Sequence, residues 1–224
     1  MNDAERQRAE RVRRLRALDV CAVSDALDRL RLAGVESHVP QQSGKGRIAG
    51  AIVTLSVGVG PPPPGPPRHL GTAAVESAGA DHVIVIEQRS GIDAGCWGGL
   101  LTLAARLKGV AGVIADGPVR DIDEAHAQGF AIFARVLTAR TARGRVVELG
   151  TNVCIRPWGH AVGPEDFVIA DRSGVAFIAA REIDRVLDAA EAIVVRETRM
   201  AEALRSGGAP ATVLGGNYEQ MLKS

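Results

Sequence analysis

Residues 95–124 read GCWGGLLTLAARLKGVAGVIADGPVRDIDE, and this stretch decides the fold. A glycine-rich turn, Gly95-Cys96-Trp97-Gly98-Gly99, leads into LLTLAARLK. There Leu100, Leu103, Ala104 and Leu107 fall at i, i+3, i+4 and i+7, the spacing of a helix with one buried face. Gly109 stops that helix, and VAGVIAD reads as a short, fully buried strand of the kind found in parallel sheets. Asp116-Gly117-Pro118 is a turn signal that ends the strand and delivers Val119-Arg120-Asp121, with Glu124 three residues on. Helix N-terminal amides behind a glycine turn suit a carboxylate or phosphate. An Arg-Asp pair at the C-terminal end of a strand lies where open α/β sheets bind ligands. An isolated Arg-Asp pair reads first as a surface ion pair; the glycine turn before it favours a site.

Working outward, residues 4–17 form a charged helix. SDALDRLRL follows as a second helix, with Ser24 as its cap and Ala26, Leu27 and Leu30 as its apolar stripe. RIAGAIVTLSVGVG and HVIVIEQ read as strands with HLGTAAVESA as a helix between them. PPPPGPP at 61–67 is a stiff loop of polyproline character. IDEAHAQG is a short helix closed by Gly129, and FAIFARV is a strand. TARTARGRVVEL carries Arg140, Arg143 and Arg145, three arginines read as solvated. Residues 152–180 are several short strands broken by turns, and 181–206 is a long amphipathic helix with a break near its middle. The expectation is one α/β domain over 1–224, with its core at about 20–200 and helices at both ends.

Composition narrows the function. The 224 residues are 46% apolar and 3% aromatic, with a formal net charge of +1, so no nucleic-acid partner is indicated. No apolar run reaches membrane-spanning length and the first twenty residues are highly charged, which points to the cytoplasm. Cys21, Cys96 and Cys154 form no CxxC pair, and His38, His69, His82, His126 and His160 show no HxH or HxxxH spacing. That argues against disulfides and against histidine or structural zinc sites. Cys96 reads as a buried thiol rather than a nucleophile. GxGxxG after a strand and GxxxxGK[ST] are both absent, which disfavours nicotinamide and ATP chemistry.

The chain resembles the RraA-like family, which includes 4-hydroxy-4-methyl-2-oxoglutarate aldolases and regulators of ribonuclease activity. The resemblance rests on Trp97-Gly98-Gly99-Leu100-Leu101, on Gly109 to Gly117, and on Val119-Arg120-Asp121. The spacing fits the family signature G-x20-R-D-x2-E/D as Gly99, Arg120, Asp121 and Glu124. Co-linear matches extend from Ser24-Asp25-Ala26-Leu27 and Ala49-Gly50-Ala51 to Phe133-Ala134-Arg135, Gly163-Pro164-Glu165-Asp166 and Asp171-Arg172-Ser173-Gly174.

That resemblance implies a swivelling β/β/α-type fold, assembled as a homotrimer or homohexamer with the site at a subunit interface. It also implies a pyruvate-type ligand: amides of Gly98, Gly99, Leu100 and Leu101 on the substrate carboxylate, Arg120 on the keto oxygen, and Asp121 on Mg²⁺ or Mn²⁺, largely through water. Glu197 is placed near the metal of a neighbouring subunit. The activity implied is a metal-dependent lyase on a small 2-oxo dicarboxylic acid, by aldol cleavage or by oxaloacetate decarboxylation. A pyruvate enolate needs positive charge at its oxygen, and one carboxylate suffices for a water-rich magnesium ion. A Schiff-base route needs a desolvated lysine, and Lys45, Lys108 and Lys223 have no such context.

Aldolases of the family often carry an acidic residue where this chain has Gly99. Proton transfer then falls to a metal-associated water, to Glu124, or to no base. The alternative from another class is a non-catalytic regulator that binds an RNA-processing enzyme. A methyltransferase reading fails for want of a glycine-rich adenosine loop after the first strand.

Overall fold

A computed structural model describes residues 2–61, 64–66 and 68–215. The proline-rich segment lies partly outside these residues, and the tail from 217 wholly so. In chain order the first elements are α1 (Asp3–Ala17), α2 (Val20–Arg29), β1 (Val35–Glu36), β2 (Gln41–Ser43) and β3 (Ile48–Gly58). Then come α3 (Thr72–Ser77), β4 (His82–Gln88), α4 (Gly99–Leu107), β5 (Gly112–Val119), α5 (Ile122–Ala127) and β6 (Ile132–Leu137). The last are β7 (Val147–Thr151), β8 (Phe167–Asp171), β9 (Gly174–Ile178), α6 (Ile183–Arg205) and α7 (Pro210–Val213).

The strands make one mixed sheet in the order β1-β9-β8-β3-β4-β5-β6-β2, and β7 pairs with the far half of β3. β3 through β6 run parallel, joined by α3, α4 and α5, as parallel neighbours need crossover helices. β8 and β9 are antiparallel additions. β3 is buried along nearly its whole length. Its Val53, Leu55 and Val57 pack under α3 and α4 with Trp97, Leu101 and Ala105. On the same face, Ala49 and Ala51 pack under α1, α2 and α6, where small side chains let the helices approach closely.

The other face curls on itself. β1 and β2 are opposite ends of the strand order, yet only residues 37–40 separate them, a link that spans at most about 14 Å. Arg135 on β6 clasps this link, donating to the carbonyls of Ser37 (2.7 Å) and His38 (3.0 Å) and pairing with Glu36. Val39, Ile52, Val85, Ile114, Phe133 and Ile155 fill the enclosed space.

Three local expectations are corrected. α2 starts at Val20 with Asp19 as its cap, its side chain accepting from the Ala22 amide (2.8 Å), so Ser24 lies inside the helix. β5 does not stop at Asp116-Gly117-Pro118 but crosses it to Val119 through a register shift, because the β6 ladder resumes at Pro118. The late helix is one 23-residue element without the expected break; its buried positions, Ile183, Val186, Leu187, Ala190 and Ile193, run along one face to its middle and pack with α1 and α2. α1, at 3–17, matches its expected span within a residue.

α2 and α6 also bring acidic groups together. Burial first, then the carboxylates of Asp28 and Asp19, push Asp25 upward; burial, then Asp25 and Asp19, push Glu197 upward. A carboxyl with a raised folded pKa binds protons more readily folded than unfolded, so stability rises as pH falls through that window. Glu197→Gln is therefore expected to raise Tm at pH 7–8 by about 1–3 °C. The gain fades toward pH 4, a trend that thermal melts across pH 4–8 will show.

Candidate functional site

The site forms where the segment before α4 is zipped to the end of β5. Trp97 bridges Val119, the Cys96 amide donates to Pro118 O (2.8 Å), and the Arg120 amide donates to Trp97 O (3.1 Å). The buried Trp97 ring is fixed by its Nε1–H on Thr102 Oγ1 (2.9 Å). Gln88, also buried, organises the loop ahead of it through the carbonyls of Ile92 (3.1 Å) and Ala94 (3.2 Å). Gly117 admits this arrangement, since a Cβ there would lie 2.6 Å from Gln88 Cβ and 3.2 Å from Cys96 Sγ.

Gly98 is the N-cap of α4. The amides of Gly98, Gly99, Leu100 and Leu101 are thus the four for which the helix has no carbonyl partner. Asp121 faces them: its Oδ2 accepts from the Gly99 amide (2.9 Å) and its Oδ1 from Arg120 Nε (3.0 Å). Asp121 sits at φ 60°, ψ 41°, a left-handed conformation that Asp tolerates better than most residues. That backbone turn aims its carboxylate back at α4 while α5 starts beyond it. Arg120 and Asp121 are each about one-third exposed (34% and 29%), so the guanidinium NH₂ groups and the outer carboxylate lone pairs remain open to a ligand. A Cβ at Gly98 would stand 2.8 Å from Asp121 Oδ2 and 3.3 Å from Arg120 Cγ. A Cβ at Gly99 would overlap Glu124 Oε2 outright and lie 2.8 Å from Glu124 Cδ.

The structure therefore gathers Gly98, Gly99, Leu100, Leu101, Arg120, Asp121 and Glu124 into one place. One refinement concerns the amides: that of Gly99 is taken by Asp121, leaving those of Gly98, Leu100 and Leu101 for a ligand. Glu197 is elsewhere in the chain, on α6 beside Asp25 and Asp19.

Among the described residues no group of three or more His, Cys, Asp or Glu side chains forms a metal cage. What is present is Asp121, with one lone pair per oxygen already engaged, and the neighbouring Glu124 carboxylate. Hard oxygen donors, few in number and partly exposed, fit a cation that keeps most of its waters, as Mg²⁺ and Mn²⁺ do, and do not fit zinc.

Cys96 is no nucleophile. Burial pushes its thiol up to about 12, and its Sγ–H points at Pro118 O (3.1 Å). Cys21 and Cys154 are exposed. A thiol reagent at pH 8 is expected to titrate two cysteines in the native protein and three after denaturation.

The expected buried face of α4 is reversed. Leu101, Thr102 and Ala105 are buried, while Leu100, Leu103 and Leu107 are 78%, 42% and 77% exposed. Docking the first turn of α4 against Asp121, and Trp97 against Thr102, turns the helix so that the leucine stripe faces outward.

Fold and site together define a class: an α/β protein that sets a guanidinium and a carboxylate against a free helix N-terminus at the end of a parallel strand. The family model for RraA-like proteins, described as Aldolase/RraA, matches residues 20–177, and the chain belongs to that family. It is 34% identical over 112 residues to an uncharacterized protein of Methanocaldococcus jannaschii, covering 50% of this chain and 53% of that protein. The match thus spans about half of that relative's length. It is 28% identical over 182 residues to a Halalkalibacterium halodurans protein that carries the provisional name 4-hydroxy-4-methyl-2-oxoglutarate aldolase, covering 80% and 81% of the two chains. A solved structure from Pseudomonas syringae, of an uncharacterized protein, shares the fold with a TM-score of 0.80 at 24% identity, over 92% of both chains.

Proposed function

We propose that this protein is a divalent-cation-dependent lyase that cleaves a small 2-oxo dicarboxylic acid through a pyruvate enolate. The observation that carries this reading is the Arg120–Asp121–Gly99 chain of hydrogen bonds, which aligns a guanidinium, a carboxylate and three free amides on one spot. The amides of Gly98, Leu100 and Leu101 bind the substrate carboxylate with the positive end of α4 behind them. Arg120 sets its NH₂ groups on the C2 oxygen, where negative charge grows as the C3–C4 bond breaks. Asp121 holds Arg120 in place through Nε and has lone pairs left for Mg²⁺ or Mn²⁺. That cation would add Lewis acidity at the same oxygen. Trp97 and Leu101 wall the site from the core side and keep its geometry fixed.

The test is pyruvate release from oxaloacetate and from 4-hydroxy-4-methyl-2-oxoglutarate, with Mg²⁺ and then with EDTA, after subtracting the enzyme-free metal rate. Magnesium-dependent release from either compound supports the reading. Absence of release from both would contradict it.

The outward leucines support self-association, as a homotrimer or homohexamer: Leu100, Leu103 and Leu107 line one face of the site helix, and solvent exposure of such a stripe is costly. The paired substitution Leu103→Glu/Leu107→Glu is expected to turn the oligomer into monomer in sedimentation. A wild type already monomeric would instead leave that face for a different protein, the regulator's mode of action.

A further inference from the structure

We propose that the cavity between α2, the end of β9 and the start of α6 is a second ligand site, built for a small monocarboxylate with an apolar body. The cavity holds about 410 Å³, within the range of pockets that enclose small organic ligands. Leu27, Leu32, Phe177 and Ile178 supply its apolar surface, and Arg156 and His160 supply a polar one. Its walls are fixed before any ligand arrives. Gly34 carries the chain from α2 onto β9: its carbonyl accepts from the Phe177 amide (2.8 Å). At φ 153°, with a Cβ that would lie 2.2 Å from Phe177 O, this position takes only glycine. The loop carrying Arg156 and His160 is closed by two hydrogen bonds between Ile155 and Val162 (2.9 and 3.0 Å). Inside it, the Trp158 amide donates to Asp116 Oδ2 (2.7 Å) and Arg89 Nη1 donates to Arg156 O (3.2 Å). The Arg135 guanidinium also lies 5.3 Å from the centre of the Trp158 ring. A preformed cavity spares its ligand the cost of ordering the walls.

Charge selects the ligand. The carboxylates at this cavity are already engaged. Asp166 accepts from the amides of Gly163 and Ala180 (2.8 Å each), and Glu182 accepts from Arg185 (2.5 Å). Glu36, which lies 3.2 Å from His160 Nε2, is paired with Arg135 as well. The Arg156 guanidinium has no hydrogen bond or ion pair among the described residues. One unpaired guanidinium beside apolar surface matches one carboxylate, which its planar fork holds through two parallel hydrogen bonds. A phosphate dianion lacks a second free cation here and meets the charges of Asp166 and Glu182 instead. The apolar body of the ligand replaces water on the leucines and on Phe177. Nothing in this site is shared with Arg120, Asp121 or the first turn of α4, so the inference stands whether or not the lyase reading does.

The test is calorimetric titration of the full chain with 1-naphthylacetate and with its uncharged counterpart, 1-naphthylacetamide. The acid is expected to bind with a Kd of about 10⁻⁴ M or tighter, and the amide about tenfold or more weakly. Arg156→Gln is expected to weaken the acid about tenfold and to leave the amide within about threefold. Ala161, exposed and on the cavity lining, offers a second variant that keeps Arg156: Ala161→Phe fills the space and is expected to abolish binding of both compounds. Because α4 also offers amides to a carboxylate, the titration is repeated with excess pyruvate and with Arg120→Lys, and both are expected to leave the Kd within about threefold. Equal affinity for acid and amide, or an Arg156→Gln variant that binds the acid as wild type does, would overturn the charge assignment. Binding that survives Ala161→Phe but is lost with pyruvate or in Arg120→Lys would place the acid at α4 and overturn the second site. No binding of either compound at millimolar concentration would overturn it outright.

Discussion

Asp121→Asn is expected to lower magnesium-dependent kcat/KM by about 10²–10⁴-fold while leaving the fold intact. Asparagine is nearly isosteric and tolerates the left-handed conformation that residue 121 adopts, so the backbone turn survives. Its carbonyl oxygen can still accept from the Gly99 amide. What disappears is the negative charge that anchors Arg120 and attracts a cation. The paired measurements are kcat/KM against Mg²⁺ concentration and the melting temperature. A variant that keeps activity within threefold would remove Asp121 from the metal role.

Arg120→Lys is expected to cost about 10²–10³-fold in kcat/KM. The arginine does two things at once: Nε–H holds Asp121 Oδ1 at 3.0 Å while the terminal NH₂ groups stay free for an oxyanion. A lysine ammonium is a single point on a flexible stem and cannot occupy both positions. The loss is expected mainly in kcat, since charge at the C2 oxygen develops as the bond breaks. A rise in KM alone would place Arg120 in ground-state binding instead.

The candidate site is legible in the sequence as a grouping because its parts are close along the chain and chemically distinct. The glycine turn, the strand and the Arg-Asp pair fall within thirty residues, and the structure brings them together through the Trp97–Val119 zipper. The closeness of Glu124 to Gly99 is not legible in the sequence. Glu124, whose carboxylate lies over the space a side chain at 99 would enter, comes from a different helix. The facing of α4 was likewise hidden. Periodicity finds a stripe of leucines but does not tell a stripe buried in its own chain from one left outside. Here Thr102, a polar residue, takes a buried place because Trp97 Nε1 needs an acceptor.

The strands tell a similar story. β3 and β4 carry β-branched runs that mark them as strands, whereas β7 follows the arginine-rich loop with no such mark, since its partly exposed residues pair only with the far half of β3. The clasp of Arg135 on Glu36 and residues 37–38 joins positions about a hundred residues apart. No local pattern announces it.

Arg120, Asp121 and the first turn of α4 are expected to stabilise a pyruvate enolate. The most direct measurement is the exchange of pyruvate methyl protons for deuterium in D₂O, followed by NMR, which needs no knowledge of the natural substrate. Wild-type protein with Mg²⁺ is expected to accelerate the exchange well above the metal-only rate, and Asp121→Asn is expected to abolish that acceleration. Exchange no faster than the metal blank would contradict the enolate account.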